Sequence, residues 1–113
     1  MSKVKLKIRH KLGNEEQNYI VKAIKDNDKY IYSYEKSKIT IIKSNNQVVI
    51  INNSDIINEI YFDSNNSYGI FTINNEKIKY EVELIKLTVL DKIIEIDYKI
   101  DTINKFMLEE LND

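Results

Sequence analysis

Between Lys77 and Ile100, apolar and charged residues take turns with a period of two. Ile78, Tyr80, Val82 and Leu84 alternate with charged neighbours. Asp91-Lys92 supplies a turn, and Ile94, Ile96, Tyr98 and Ile100 alternate on the way back. Successive side chains of a strand point to opposite faces, so this stretch reads as a β-hairpin with one dry face and one wet face. Midway, the apolar parity slips from even positions, ending at Leu84, to odd ones at Ile85, Leu87 and Val89. A β-bulge or sharp coil near Leu84-Ile85 would produce that slip, the device that curls a flat sheet towards closure.

The same rhythm runs through the rest of the chain. Val4, Leu6, Ile8, His10 and Leu12 alternate with Lys3, Lys5, Lys7, Arg9 and Lys11, then Gly13-Asn14 turns the chain. A second strand covers about Gln17 to Lys25, with Tyr19, Val21 and Ala23 competing against Ile20 and Ile24 for the dry face. Tyr30, Tyr32 and Tyr34 share one face of a third. Further strands follow at Ile39 to Lys43, Val48 to Ile51, Ile56 to Phe62 and Tyr68 to Ile73, each closed by asparagine- or serine-rich turns. In the tail, Phe106 to Leu111 reads as a last strand, with a helical turn through Phe106, Met107, Leu108 and Leu111 as the alternative. Short strands with turns at roughly ten-residue intervals argue for an all-β fold. Because every connection is short, the expectation is one antiparallel up-and-down β-barrel of about eight to ten strands.

At 113 residues the chain makes one domain, long enough to bury roughly two-thirds of its unfolded surface. Its formal net charge is -1, so no global field draws in nucleic acid or an acidic membrane. With no cysteine and a single histidine, His10, thiolate chemistry and multi-histidine metal sites are excluded, and no metal or cofactor is expected. Proline is absent and glycine occurs only twice. Asparagine, which tolerates the left-handed backbone, takes over the turns. The N-terminus alternates charge with apolar residues, unlike a signal peptide, and no stretch is long enough for a membrane-spanning helix. The expected location is the cytoplasm.

Several motifs recur in an informative order. Tyr32-Ser33-Tyr34-Glu35 precedes Thr40-Ile41-Ile42-Lys43. Ile60-Tyr61-Phe62-Asp63 and Tyr68-Gly69-Ile70-Phe71-Thr72 come next, and Ile94-Glu95-Ile96-Asp97-Tyr98-Lys99-Ile100 completes the series. This series resembles the YwiB-like family, small bacterial proteins of unknown function with a calycin-like (lipocalin-like) β-barrel, over about Val4 to Phe106. The chain departs from that pattern at Lys36, where the family has a second acidic residue. It departs again at Ala23, Asn53 and Asn75, where the family has turn glycines. The resemblance implies a fold, and a fold does not by itself give an activity.

Candidate chemistry is sparse. If Tyr30, Tyr32 and Tyr34 point inward with Tyr80 and Tyr98, they line a pocket with apolar walls and several hydroxyls, suited to a small ligand. If they point outward, they form an aromatic ladder. Glu35 and Lys43 are candidates for an ion pair across neighbouring strands at the same site. The basic face of the first strand lacks the interleaved aromatics of a nucleic-acid binder, and its lysines suit a solvated face. Glu81, Glu83, Glu95 and Asp97 are expected to face Lys77, Lys79, Lys86, Lys92 and Lys99 across the hairpin.

No catalytic constellation accompanies His10. An enzyme would gain ground only if His10 or Glu35 stood in a cleft within hydrogen-bond reach of another ionisable group. The expectation is therefore a non-enzymatic barrel that binds an unknown small ligand. The alternative is a non-catalytic interaction or regulatory module with a filled barrel. Neither nucleic acid nor membrane is expected as a partner, and a homodimer is compatible with the sequence.

Overall fold

The computed structural model describes residues 1–111, which form eleven antiparallel strands and no helix. They are β1 (Ser2–Leu12), β2 (Glu15–Asp26), β3 (Lys29–Tyr34), β4 (Ser37–Lys43), β5 (Gln47–Asn53) and β6 (Ile57–Asp63). The remainder are β7 (Tyr68–Ile73), β8 (Glu76–Glu81), β9 (Glu83–Val89), β10 (Ile93–Ile100) and β11 (Thr102–Leu111). Each pairs with its sequence neighbour, except that β8 does not pair with β9, and β1 pairs with β11 as well as with β2. The result is one nearly closed, barrel-shaped sheet in the order β8-β7-β6-β5-β4-β3-β2-β1-β11-β10-β9.

The two edges of that sheet are consecutive pieces of one run. β8 pairs with β7, the buried Val82 interrupts, and β9 pairs with β10. The ring is thus completed by the covalent chain, where one long stave changes partner halfway. Counting that stave once gives ten around the ring. The expected hairpin is corrected accordingly: only its second half, from Glu83 onward, pairs with β10. The bulge falls where the parity slip put it. Lys86 lies opposite Asp97 while Leu84 lies opposite Tyr98, which leaves Ile85 as the extra, exposed residue. Beyond it, Leu87 and Val89 pack against the core.

Left-handed backbone appears at Gly13, Asn27, Asn74 and Asn75, and also at Glu35 and Asp101. Asn74 and Asn75 both have positive φ, 50° and 66°, the requirement of a two-residue hairpin whose twist matches its strands. β2 turns Ala23 into the core, with Tyr19 and Val21 packed against it, and leaves Ile20 and Ile24 exposed. The tail is strand because its backbone is a wall between two others: β11 bonds β1 on one side and β10 on the other. A helical turn would leave the facing edges of β1 and β10 unpaired.

The middle of the barrel is solid. Leu6, Ile8, Ile41, Val48, Phe62, Ile94, Ile96 and Leu108 have almost no exposure. Truncating such a residue to Ala typically costs about 2–5 kcal/mol. Outside, Lys3, Lys5, Lys7, Arg9 and Lys11 of β1 are exposed, and Arg9 is paired with Glu16 and Asn18 of β2. Asp97 lies opposite Lys86 and Glu83 opposite Lys99, as the hairpin charges imply, whereas Glu81 lies opposite Tyr68. Among the described residues no helix is long and apolar enough to cross a membrane.

Candidate functional site

Inward-pointing residues differ from one end of the barrel to the other. At the end holding the β2–β3, β4–β5 and β9–β10 turns, Tyr30 is fully buried and its hydroxyl donates to Glu110 Oε1 at 2.9 Å. Lys25 Nζ donates to the same oxygen at 2.9 Å. Lys43, only 8 % exposed, donates to the backbone carbonyls of Leu90, at 3.4 Å, and Asp91, and its Nζ lies 5.4 Å from the Tyr30 ring centroid. Burial alone would raise the Glu110 carboxyl. The hydrogen bonds from Lys25 and Tyr30 and the charges of Lys25 and Lys92 outweigh it and hold the group below its ordinary value. These side chains form a self-satisfied polar plug.

The opposite end, ringed by the β1–β2, β3–β4, β5–β6, β7–β8 and β10–β11 turns, is open. Here a cleft of about 1740 Å³ is lined by His10, Asn52, Asn58, Phe71, Tyr80, Tyr98 and Asn104, among others. It extends down the seam beside Val82 to the Asp63–Ser67 loop. A side lobe of about 160 Å³, sharing His10, Gln17 and Asn52, is walled by Tyr19, Tyr32, Tyr34, Phe106 and Glu35.

Local sequence explains how these walls stand. Gly69 of β7 faces Tyr80 of β8 across the ladder, and a Cβ at Gly69 would overlap the Tyr80 ring. Glycine therefore lets that ring lie flat over the strand. From there Tyr80 stacks on Phe71, with centroids 4.7 Å apart, and donates to Asn58 Oδ1 at 2.7 Å. Tyr19 stacks on Tyr34 at 3.7 Å, and its hydroxyl lies 3.0 Å from that of Tyr32. Asn104 is held by the Gly13 backbone N–H, which donates to its Oδ1 at 3.0 Å. Among the described residues, the amides of Gln17 and Asn52 have no hydrogen-bond partner.

At the floor of the cleft, His10 Nε2 lies 2.8 Å from the Tyr98 hydroxyl, and Phe106 meets the imidazole edge-on at 5.3 Å. Burial lowers His10 to about 4 and raises Tyr98 above its ordinary value. The geometry that would have favoured an enzyme is therefore present at His10. The protonation chemistry pulls the other way. Efficient proton transfer wants a group poised near the working pH. A neutral imidazole this hard to protonate and a phenol this hard to ionise instead offer fixed donors and acceptors.

The structure divides the residues singled out from the sequence. Tyr32, Tyr34, Glu35, Tyr80 and Tyr98 stand at the open end. Tyr30 and Lys43 do not; they belong to the plug. Glu35 and Lys43 lie at opposite ends of β4, so the expected ion pair does not form. The reason is that Glu35 occupies the turn before β4 while Lys43 is its last residue. Sequence reasoning missed Tyr19, Asn52, Asn58, Phe71, Asn104 and Phe106. A usable signal existed in β5 and β6: Asn52 follows Val48 and Ile50 on the inward parity, and Asn58 precedes Ile60 and Phe62 on theirs. Polar residues at inward positions mark the mouth. Comparison of the chain with protein-family models, with curated proteins and with solved structures returned no match.

Proposed function

We propose that this protein is a non-enzymatic binding barrel that takes one small, ring-bearing ligand in its open end. The observation that carries this reading is the asymmetry of the ends. One is closed by side chains bonded to one another or to the Leu90 and Asp91 carbonyls, while the other keeps an aromatic-walled cleft with side-chain amides unpartnered among the described residues. Ligand sites have this composition: apolar and aromatic walls with a few convergent polar groups. The ligand sits in the mouth, because the middle of the barrel is filled. The motif series supports membership in the YwiB-like barrels, and with it a bacterial, cytoplasmic setting. A lysine-rich exterior on β1 around an apolar interior also favours water outside the barrel.

Native mass spectrometry of gently purified protein tests the reading. A one-to-one small-molecule adduct, lost when Asn58→Leu and Asn52→Leu fill the mouth, is the expected result. Unliganded protein under every purification condition would overturn it.

One observation favours a second reading, an interaction module. On the outer face of β4 to β7, Ile42, Val49, Ile51 and Ile70 adjoin the stacked pair Tyr61 and Tyr68, whose ring centroids are 4.8 Å apart. Apolar faces of this kind mark contact surfaces. The same spectra count subunits: a dimer dissociated by Ile42→Lys and Ile70→Lys would support the module, and a strict monomer would remove it.

A further inference from the structure

We infer that the open cleft selects a cationic ligand, an organic ammonium carried on or near an aromatic or aliphatic ring, and rejects anions. The inference rests on the binding reading above and adds the charge of the ligand to it.

Three observations converge. First, Lys99 is the one cationic side chain among the described residues that line the cleft. The buried lysine, Lys43, and its neighbour Lys25 are committed to the plug at the far end. The histidine on the cleft floor is held neutral by burial. A phosphate or carboxylate entering here would be desolvated with no counter-charge but Lys99, a costly kind of burial. Second, the charges that line the cleft are Asp63, Glu81, Glu83 and Asp101 against one ammonium, Lys99, with Glu35 adding a carboxylate to the side lobe. A low-dielectric cleft rimmed by one sign of charge concentrates the opposite sign. Third, the walls are ring faces. Phe71 is 37 % exposed and stacked on Tyr80, and Tyr98 lies deeper. Aromatic faces attract ammonium groups through their quadrupole, and cages of this sort recognise alkylated ammonium ligands. The same cation–aromatic contact already occurs on the outside of this barrel, where Lys79 Nζ lies 4.5 Å from the Tyr68 ring centroid.

Neither the carboxylates nor the rings alone would specify a ligand. With the lysines of the interior committed to the plug and a single ammonium on the cleft lining, they disfavour nucleotides, phosphosugars and carboxylic acids and favour amines.

The test uses three probes sharing one ring: benzyltrimethylammonium, benzyl alcohol and benzenesulfonate. Each is titrated into the full-length protein at low salt and followed by ¹H–¹⁵N chemical shifts of mouth residues. The cation is expected to bind at least about tenfold more tightly than the sulfonate, with a preference that shrinks at high salt. The exposed triple variant Glu81→Gln, Glu83→Gln, Asp101→Asn should fold normally and lose most of that preference, while benzyl alcohol binding stays within about twofold. Equal or tighter binding of the sulfonate overturns the inference, as does an unchanged preference in the variant. In both cases the binding reading survives, since rings still enter the mouth. If no probe, benzyl alcohol included, shifts mouth residues, the binding reading itself fails and the inference goes with it.

Discussion

At one end of the barrel Lys25 and Tyr30 both donate to Glu110, and Lys43 donates to the backbone carbonyls of Leu90 and Asp91. At the other, His10, Asn58, Tyr80 and Tyr98 are bonded in pairs around a space they do not fill. The same strands build both ends. β3 and β4 run from Lys43 and Tyr30 in the plug to Tyr34 and Glu35 at the mouth, and β10 and β11 likewise span both. The difference lies in reach. Lys43 at the end of β4 reaches across to the β9–β10 turn, and Lys25 and Tyr30 both reach Glu110, whereas Tyr80 lies over β7 and the side-chain amide of Asn52 meets no partner among the described residues. A plug thus follows from flexible charged side chains facing inward at one level, and a cleft from short amides and flat rings at another.

The largest expected effect comes from opening the plug. Lys43→Ala strips two backbone carbonyls of their donor and unpacks the Tyr30 ring, which should cost about 3 kcal/mol. Asn58→Ala at the mouth removes a group that water can replace, and should cost no more than about 1 kcal/mol. Urea midpoints of the two variants measure the contrast directly. Similar losses would mean that the mouth is as structural as the plug.

The ends should also titrate apart. His10 is lowered by burial from 6.5 to about 4. As pH falls from 6.5 towards 4 the unfolded chain takes up a proton that the folded ring refuses. Stability therefore declines through that window, by roughly 3 kcal/mol at most. Glu110 works in the next window. Its carboxyl is held below its ordinary 4.5, so its contribution is intact above that value and lost as pH falls through the folded one. Stability measured from pH 7 to 3 should fall in two stages. His10→Gln should flatten the first stage and leave the second; Glu110→Gln should do the reverse. A single merged transition would break the division between ends.

How much of this was legible beforehand follows from what side-chain period encodes. Alternation along β1, β3 and β10 announced the inward rows, and the slip at Leu84-Ile85 announced the bulge, because both are local. Where each stave stops relative to its neighbour is not local. Glu35 and Lys43 read as a pair on neighbouring strands, yet with Glu35 in the turn the whole length of β4 separates them. Likewise Tyr30 and Tyr98 look equivalent on their strands. Only the stagger of the barrel decides that one meets Glu110 and the other His10. The partner change at Val82 was hidden for the same reason: nothing in an alternating run says which side its ladder is on.

A change at the mouth alone sharpens the contrast further. Gly69→Val should drive the Tyr80 ring off β7, breaking its bond to Asn58 and its stack on Phe71, at about 1–2 kcal/mol. The Asn58 side-chain amide resonance reports the displacement, while resonances of Tyr30 and Lys43 should stay put. Movement of the plug residues would show that the filled middle of the barrel transmits strain between the ends.

The smallest effect bears on why the mouth is built as it is. Glu35 sits in the left-handed region at φ 54°, where a side chain is disfavoured by about 1 kcal/mol and glycine is not. Glu35→Gly should therefore raise stability by about 0.5–1 kcal/mol, read as a higher urea midpoint. The plug offers no such gain, since among its residues none has a positive φ. If the variant is more stable and also binds benzyltrimethylammonium more weakly, the strained backbone is the cost of holding a carboxylate over the side lobe. If it is more stable and binds unchanged, Glu35 serves only its turn, and the acidic character of the cleft rests on the other carboxylates that line it.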